Sequence, residues 1–190
     1  MAPLFLLISL CLTPFVAAAH TESFVLVQNL ARQARVDLDL TGKQSYAIYE
    51  TIPVKGVDKI LPFHTRRGVV NGRVRCDENG NCDFVGALFQ MDTGGSVAGI
   101  VGGKTSARVE TPWKLHHDYD RKTNTYANFG ELNKYEWAGP TKRYTDQQIY
   151  GFAVAWCRNL FHRRYDMFMN NDHQFARALY NQIKENKNAM

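Results

Sequence analysis

Residues 165–183 read YDMFMNNDHQFARALYNQI, a polar connector running into an amphipathic segment. Phe175, Ala178, Leu179, Gln182 and Ile183 recur at the i, i+3, i+4, i+7, i+8 spacing of a helix with one buried face. Asn171 or Asp172 is placed to cap its first turn, where free backbone N–H groups and the helix dipole favour an acceptor. Met167, Phe168 and Met169, just upstream, read as core anchors for the connector.

Working back along the chain, Thr145-Asp-Gln-Gln148 has the form of a capping box. Behind it Ile149, Phe152, Ala153, Trp156 and Leu160 make a second helical stripe running to about His162, with Cys157 on it as a buried, unpaired thiol. Residues 44–52 are rich in strand formers and stop at Pro53. Residues 69–76 alternate as a half-exposed strand, and residues 82–91 are apolar enough for a central one. Between these two, Glu78-Asn79-Gly80 reads as a three-residue hairpin loop with glycine at the left-handed position. That hairpin sets Cys76 opposite Cys82, and a disulfide is expected between them. Residues 96–101 and 107–115 read as further strands, residues 116–135 as polar loop, and Gly139-Pro140 as a turn. Thr21 to Asp39 begins as a short helix. Strands first, then two C-terminal helices, predicts an α+β fold: a small antiparallel sheet packed against those helices.

The chain has 190 residues, six histidines and four cysteines. Residues 1–19 carry no charged side chain, run apolar from Leu4 to Val16 and end Ala17-Ala18-Ala19, as a secretory signal cut before His20 does. One α+β domain is then expected over residues 20–190. The apolar run is too short for a membrane span and no second one follows, so the expected location is extracellular. An oxidising route of that kind lets a Cys76–Cys82 bond persist. A formal charge of +5 and a pI near 9.0 describe a mildly basic charge spread along the chain, which reads first as an ordinary solvated surface; the partner expected is an unknown protein or an anionic surface. No interleaving of basic and aromatic residues marks a nucleic-acid reader.

The segment Tyr165-x4-Asn170-Asn171-Asp172-x-x-Phe175 resembles the helix-opening motif of the permuted papain-like hydrolases, the lecithin retinol acyltransferase, PPPDE and NlpC-type relatives. In that family a cysteine follows the two asparagines. Gly139 to Ile149 resembles the turn and capped helix before that motif, and residues 83–89 the strand bearing the family's histidine. Residues 108–120 are similar to the strand and Tyr-Asp loop that follow it. The likeness covers about residues 83–185. It implies a thiolate activated by the helix N-terminus and a neighbouring imidazole. Here Asp172 stands at the cysteine position and Val85 at the histidine position. A second register, over Ser45 to Tyr49, offers no histidine either. The resemblance thus implies a secreted, fungal-type, effector-like protein that keeps the fold, has lost the catalysis and acts by binding, with Asn170, Asn171, Asp172 and His173 as the binding set. The alternative is a hydrolase or acyltransferase using Asp172 with His173, His64 or His117.

Other motifs carry less. Ala98 to Thr105 fits a relaxed phosphate-loop pattern, but the segment beyond it reads as strand where that chemistry needs a helix, so a glycine-rich turn is expected. His116 and His117 are adjacent and would point to opposite faces of a strand, so no shared metal is expected. No cofactor is expected.

Overall fold

The computed structural model describes residues 19–53, 65–93, 102–115, 118–120, 125–127, 134–166 and 171–185. The signal-like segment up to residue 18, the expected strand over residues 96–101, and His64, His116, His117, Met167 to Met169 and Asn170 lie outside them. The architecture is α+β, as expected from the order of elements.

Helix α1 (Glu22–Gln33) is capped by Thr21, whose side chain accepts from the Phe24 amide. The Thr21 hydroxyl also donates to Asp83 at 2.6 Å, which ties the helix start to the sheet. Strands β1 (Ser45–Pro53), β2 (Thr65–Cys76), β3 (Cys82–Asp92) and β4 (Ser106–Glu110) follow as an antiparallel meander. A separate two-stranded hairpin pairs β5 (Asp118–Asp120) with β6 (Thr125–Ala127). Strand β7 (Lys134–Thr141) then returns to β1, and the five-stranded sheet has the order β4-β3-β2-β1-β7. Helices α2 (Asp146–Arg158) and α3 (Asp172–Ile183) complete the chain.

Alternation along the strands sends successive side chains to opposite faces, and both faces are covered. Ala47, Val69, Ala87, Phe89 and Met91 pack with Ile149, Ala153 and Cys157 of α2 and with Phe175, Ala176, Leu179 and Ile183 of α3. The opposite face carries Ile48, Val70, Val74, Phe84 and Leu88 against Phe24 and Val27 of α1, closed by Trp113. Burying one such phenylalanine or leucine contributes about 1.5–3 kcal/mol, so the two layers hold the sheet between them.

The structure corrects four local expectations. Residues 116–135 are not all loop: β5 and β6 form within them. Lys134–Thr141 is a strand although it contains Gly139 and Pro140. It lies at the sheet edge, where proline's missing donor is tolerated, and its register with β1 shifts between Ala47 and Ile48. Gly139 has φ 137°, and a Cβ there would run into the Tyr180 hydroxyl. Strand β4 ends at Glu110 rather than Leu115. Helix α2 ends at Arg158, and Leu160, expected on its buried stripe, is exposed.

The expected hairpin is present. Cys76 pairs with Cys82 in register and the two are bonded, while Gly80 has φ 81°. The Asp77 carboxylate organises the loop by accepting from the Asn79 and Asn81 amides at 3.0 and 2.8 Å. Cys157 is a free cysteine and buried. A chain beginning at His20 should therefore show one reactive thiol under denaturing, non-reducing conditions; a count of three would rule out the bond.

Candidate functional site

Asn171, not Asp172, caps α3: its side chain accepts from the Gln174 amide at 3.1 Å. Asp172 is the first helical residue. The apolar stripe of α3 runs through Phe175, Ala176, Leu179 and Ile183, and Asp172 stands at its head. Ala178 and Gln182 lie beside that stripe, one half-buried and one exposed. The geometry therefore turns Asp172 inward, where it is only 3 % exposed.

Burial pushes the Asp172 carboxyl up to about 7, against the opposing pull of Arg66 and its own backbone amide; Asp92 raises it further and a hydrogen bond from the Tyr165 hydroxyl lowers it. None of these groups is an imidazole. Tyr165 is itself buried, and burial together with the nearby Asp172 charge pushes its phenol well above the usual range. Cys157, the free cysteine among the described residues, sits on α2, and burial pushes its thiol up to about 11. A thiol held protonated at neutral pH is a poor nucleophile.

Val85 is not brought to Asp172. It pairs with Arg73, whereas the charges acting on Asp172 belong to Arg66 and Asp92, at the other end of the same two strands. From Val85 to Asp92 the strand rises roughly 23 Å, at about 3.3 Å per residue. Of the second register, Ser45 to Tyr49, Ser45 lines the same distant cleft as Val85, with Gly86, Arg143 and Asp146, whereas Tyr49 lies in a different one, beside Asn171 and His173.

No family model, curated protein or solved structure matches this chain.

The side chain next to Asp172 faces the other way. His173 lines an open cleft of about 480 Å³ with Tyr49, Arg67, Glu136, Asn171, Gln174 and Arg177. Arg67 is its centre. The guanidinium lies 4.2 Å over the Tyr49 ring, forms an ion pair with Glu136 at 2.5 Å, and approaches His173 Nδ1 at 3.5 Å. A cation held over an aromatic face and by a carboxylate is pre-organised, which lowers the ordering cost of presenting its remaining donors. Two arginines against one carboxylate leave the cleft electropositive, suited to an acidic group. Its described lining contains no cysteine, serine or threonine.

The expected binding set is thus divided. Asn171 and His173 line the cleft, Asp172 is buried and not part of its lining, and Asn170 lies outside the described residues. The sequence gives no sign that Tyr49, Arg67, Glu136 and Arg177 belong together, because they come from β1, β2, β7 and α3 and meet only through strand pairing and the packing of α3 on the sheet. Among the described residues no three His, Cys, Asp or Glu side chains converge to hold a metal ion. In the phosphate-loop-like stretch, Thr105 is buried and β4 follows it in place of a helix.

Proposed function

We propose that this is a secreted protein of papain-like fold that has lost thiol chemistry and acts by binding, its ligand or partner presenting an acidic group to the Arg67 cleft. The observation that carries this reading is the placement of Asp172. A carboxyl occupies the first turn of the helix whose family counterpart bears the nucleophile, turned into the core and bonded by Tyr165. Supporting it are the disulfide, which suits an oxidising compartment, and the fact that no described helix is long and apolar enough to cross a membrane.

The mature protein is expected to show no turnover of ester, thioester or amide substrates. Asp172→Cys combined with Val85→His should also be silent, because the two positions stand at opposite ends of the sheet and the thiol would lack its proton acceptor. Turnover by that double variant, absent in both single ones, would show that the histidine register holds. Binding is tested by pull-down from the protein's own secretory context, comparing parent with Arg67→Gln. Loss of the captured species in the variant is expected, and equal capture would remove the cleft from the reading.

A second reading is favoured by the position of the Asp172 carboxyl near neutrality, where a general acid or base works best. Turnover by the parent that disappears in Asp172→Asn would establish it.

A further inference from the structure

Leu160 and Phe161 are adjacent, large and apolar, and they are 73 % and 86 % exposed. They occupy a turn immediately after α2, where the helical stripe would have buried Leu160 had the helix continued. The turn is firmly built. Asn159 Oδ1 accepts from the Phe161 amide at 3.0 Å, and the His162 amide donates to the Asn159 carbonyl at 2.9 Å.

Beneath the tip, the His162 ring stacks on Trp156 with centroids 4.2 Å apart. The buried Thr105 hydroxyl donates to the His162 carbonyl at 2.7 Å, and the Thr105 amide donates to the Arg163 carbonyl at 3.0 Å. The backbone of Tyr165 exchanges bonds with Gly102 and Gly103 at 3.1 and 2.8 Å. The apolar pair is therefore held outward by a fixed base; it is not a frayed helix end.

The surroundings are cationic. Arg158, Arg163 and Arg164 are exposed in the same segment, and an antiparallel bridge sets exposed Lys104 beside Arg164. Asp166 is the acidic residue of this stretch. A two-residue apolar tip is far smaller than the roughly 800 Å² that each side of a stable protein–protein interface buries. It is suited to insertion between lipid headgroups, with the cations around it meeting anionic phosphates.

We propose that the turn at Leu160-Phe161, with its arginine and lysine collar, docks this protein onto the surface of a bilayer containing anionic lipid. This does not depend on the reading of Asp172, and it adds a second contact surface to the Arg67 cleft. The test is co-sedimentation of the full chain with phosphatidylcholine vesicles, with and without phosphatidylserine, at low and high salt.

Binding is expected on the anionic vesicles and to weaken with salt. Leu160→Ser with Phe161→Ser should weaken it roughly tenfold or more, and Arg158→Gln and Arg163→Gln roughly fivefold each. Both tip positions are exposed, so the variants should keep the parent's near-ultraviolet circular dichroism. Binding that the tip variants leave unchanged, including binding through the apolar amino-terminal run, would overturn the proposal. So would no vesicle binding at all, or a self-association lost in the tip variant without any change on vesicles.

Discussion

Asp172→Asn is expected to stabilise the folded protein by about 4 kcal/mol at pH 8 and by under about 1 kcal/mol at pH 4. The folded carboxyl titrates at about 7, against 3.8 for the free group, because burial disfavours its charge. Between those values the folded state holds a proton that the unfolded chain has released. The group's contribution is therefore fully present below the unfolded value and is lost as pH rises through about 7. Asparagine keeps an oxygen for the Tyr165 hydroxyl and cannot ionise. Urea midpoints of parent and variant across pH 4–8 read the effect as a difference, which cancels the other titrating groups. The slope of that difference carries the test, since a constant offset reflects how the new amide packs. Parallel curves would show that Asp172 is not buried as a carboxyl.

Glu50→Ala should destabilise the protein by about 4 kcal/mol, and Glu50→Gln by about 1–2 kcal/mol. Glu50 is fully buried on β1. Its Oε2 accepts from Trp113 Nε1 at 3.1 Å and its Oε1 from the Tyr135 hydroxyl at 3.0 Å. Burial, then the nearby Glu50 charge, holds the Tyr135 phenol well above its usual range and so keeps it a donor. Alanine removes both acceptors, leaves two dry donors and opens a cavity beside Trp113. Glutamine retains one oxygen and most of the volume. Chemical denaturation of both variants decides the matter: an alanine variant within about 1 kcal/mol of the parent would mean that water or another group satisfies the two donors.

Some of the site was within reach of sequence reasoning. Asp172 stands three residues before Phe175 and four before Ala176, the spacing that puts it on the buried stripe, so its burial was readable once the stripe was drawn one position over. Glu50 was not readable. A lone glutamate in an apolar strand gives no sign that an indole and a phenol far along the chain will meet it. The Arg67 cleft was equally hidden, since Tyr49, Arg67 and Glu136 come together through the pairing of β1 with β2 and with β7.

By itself the sequence determined what depends on a few neighbouring residues. The Thr145-to-Gln148 box, the α3 helix, the Gly80 loop and the Cys76–Cys82 pairing all follow from dihedral preference and short-range periodicity. Only the tertiary structure decided that Lys134–Thr141 would become an edge strand in spite of Gly139 and Pro140. It alone decided that Asn171 would cap α3 while Asp172 turned into the core, and that α2 would stop short and leave Leu160 and Phe161 in the open. Each of these outcomes was set by tertiary contacts that local preference does not specify: β1 for the edge strand, Tyr165 and the sheet for the carboxyl, Thr105 and Trp156 for the turn. The free energy of meeting those partners exceeded the few tenths of a kcal/mol per residue by which local preference separates the alternatives.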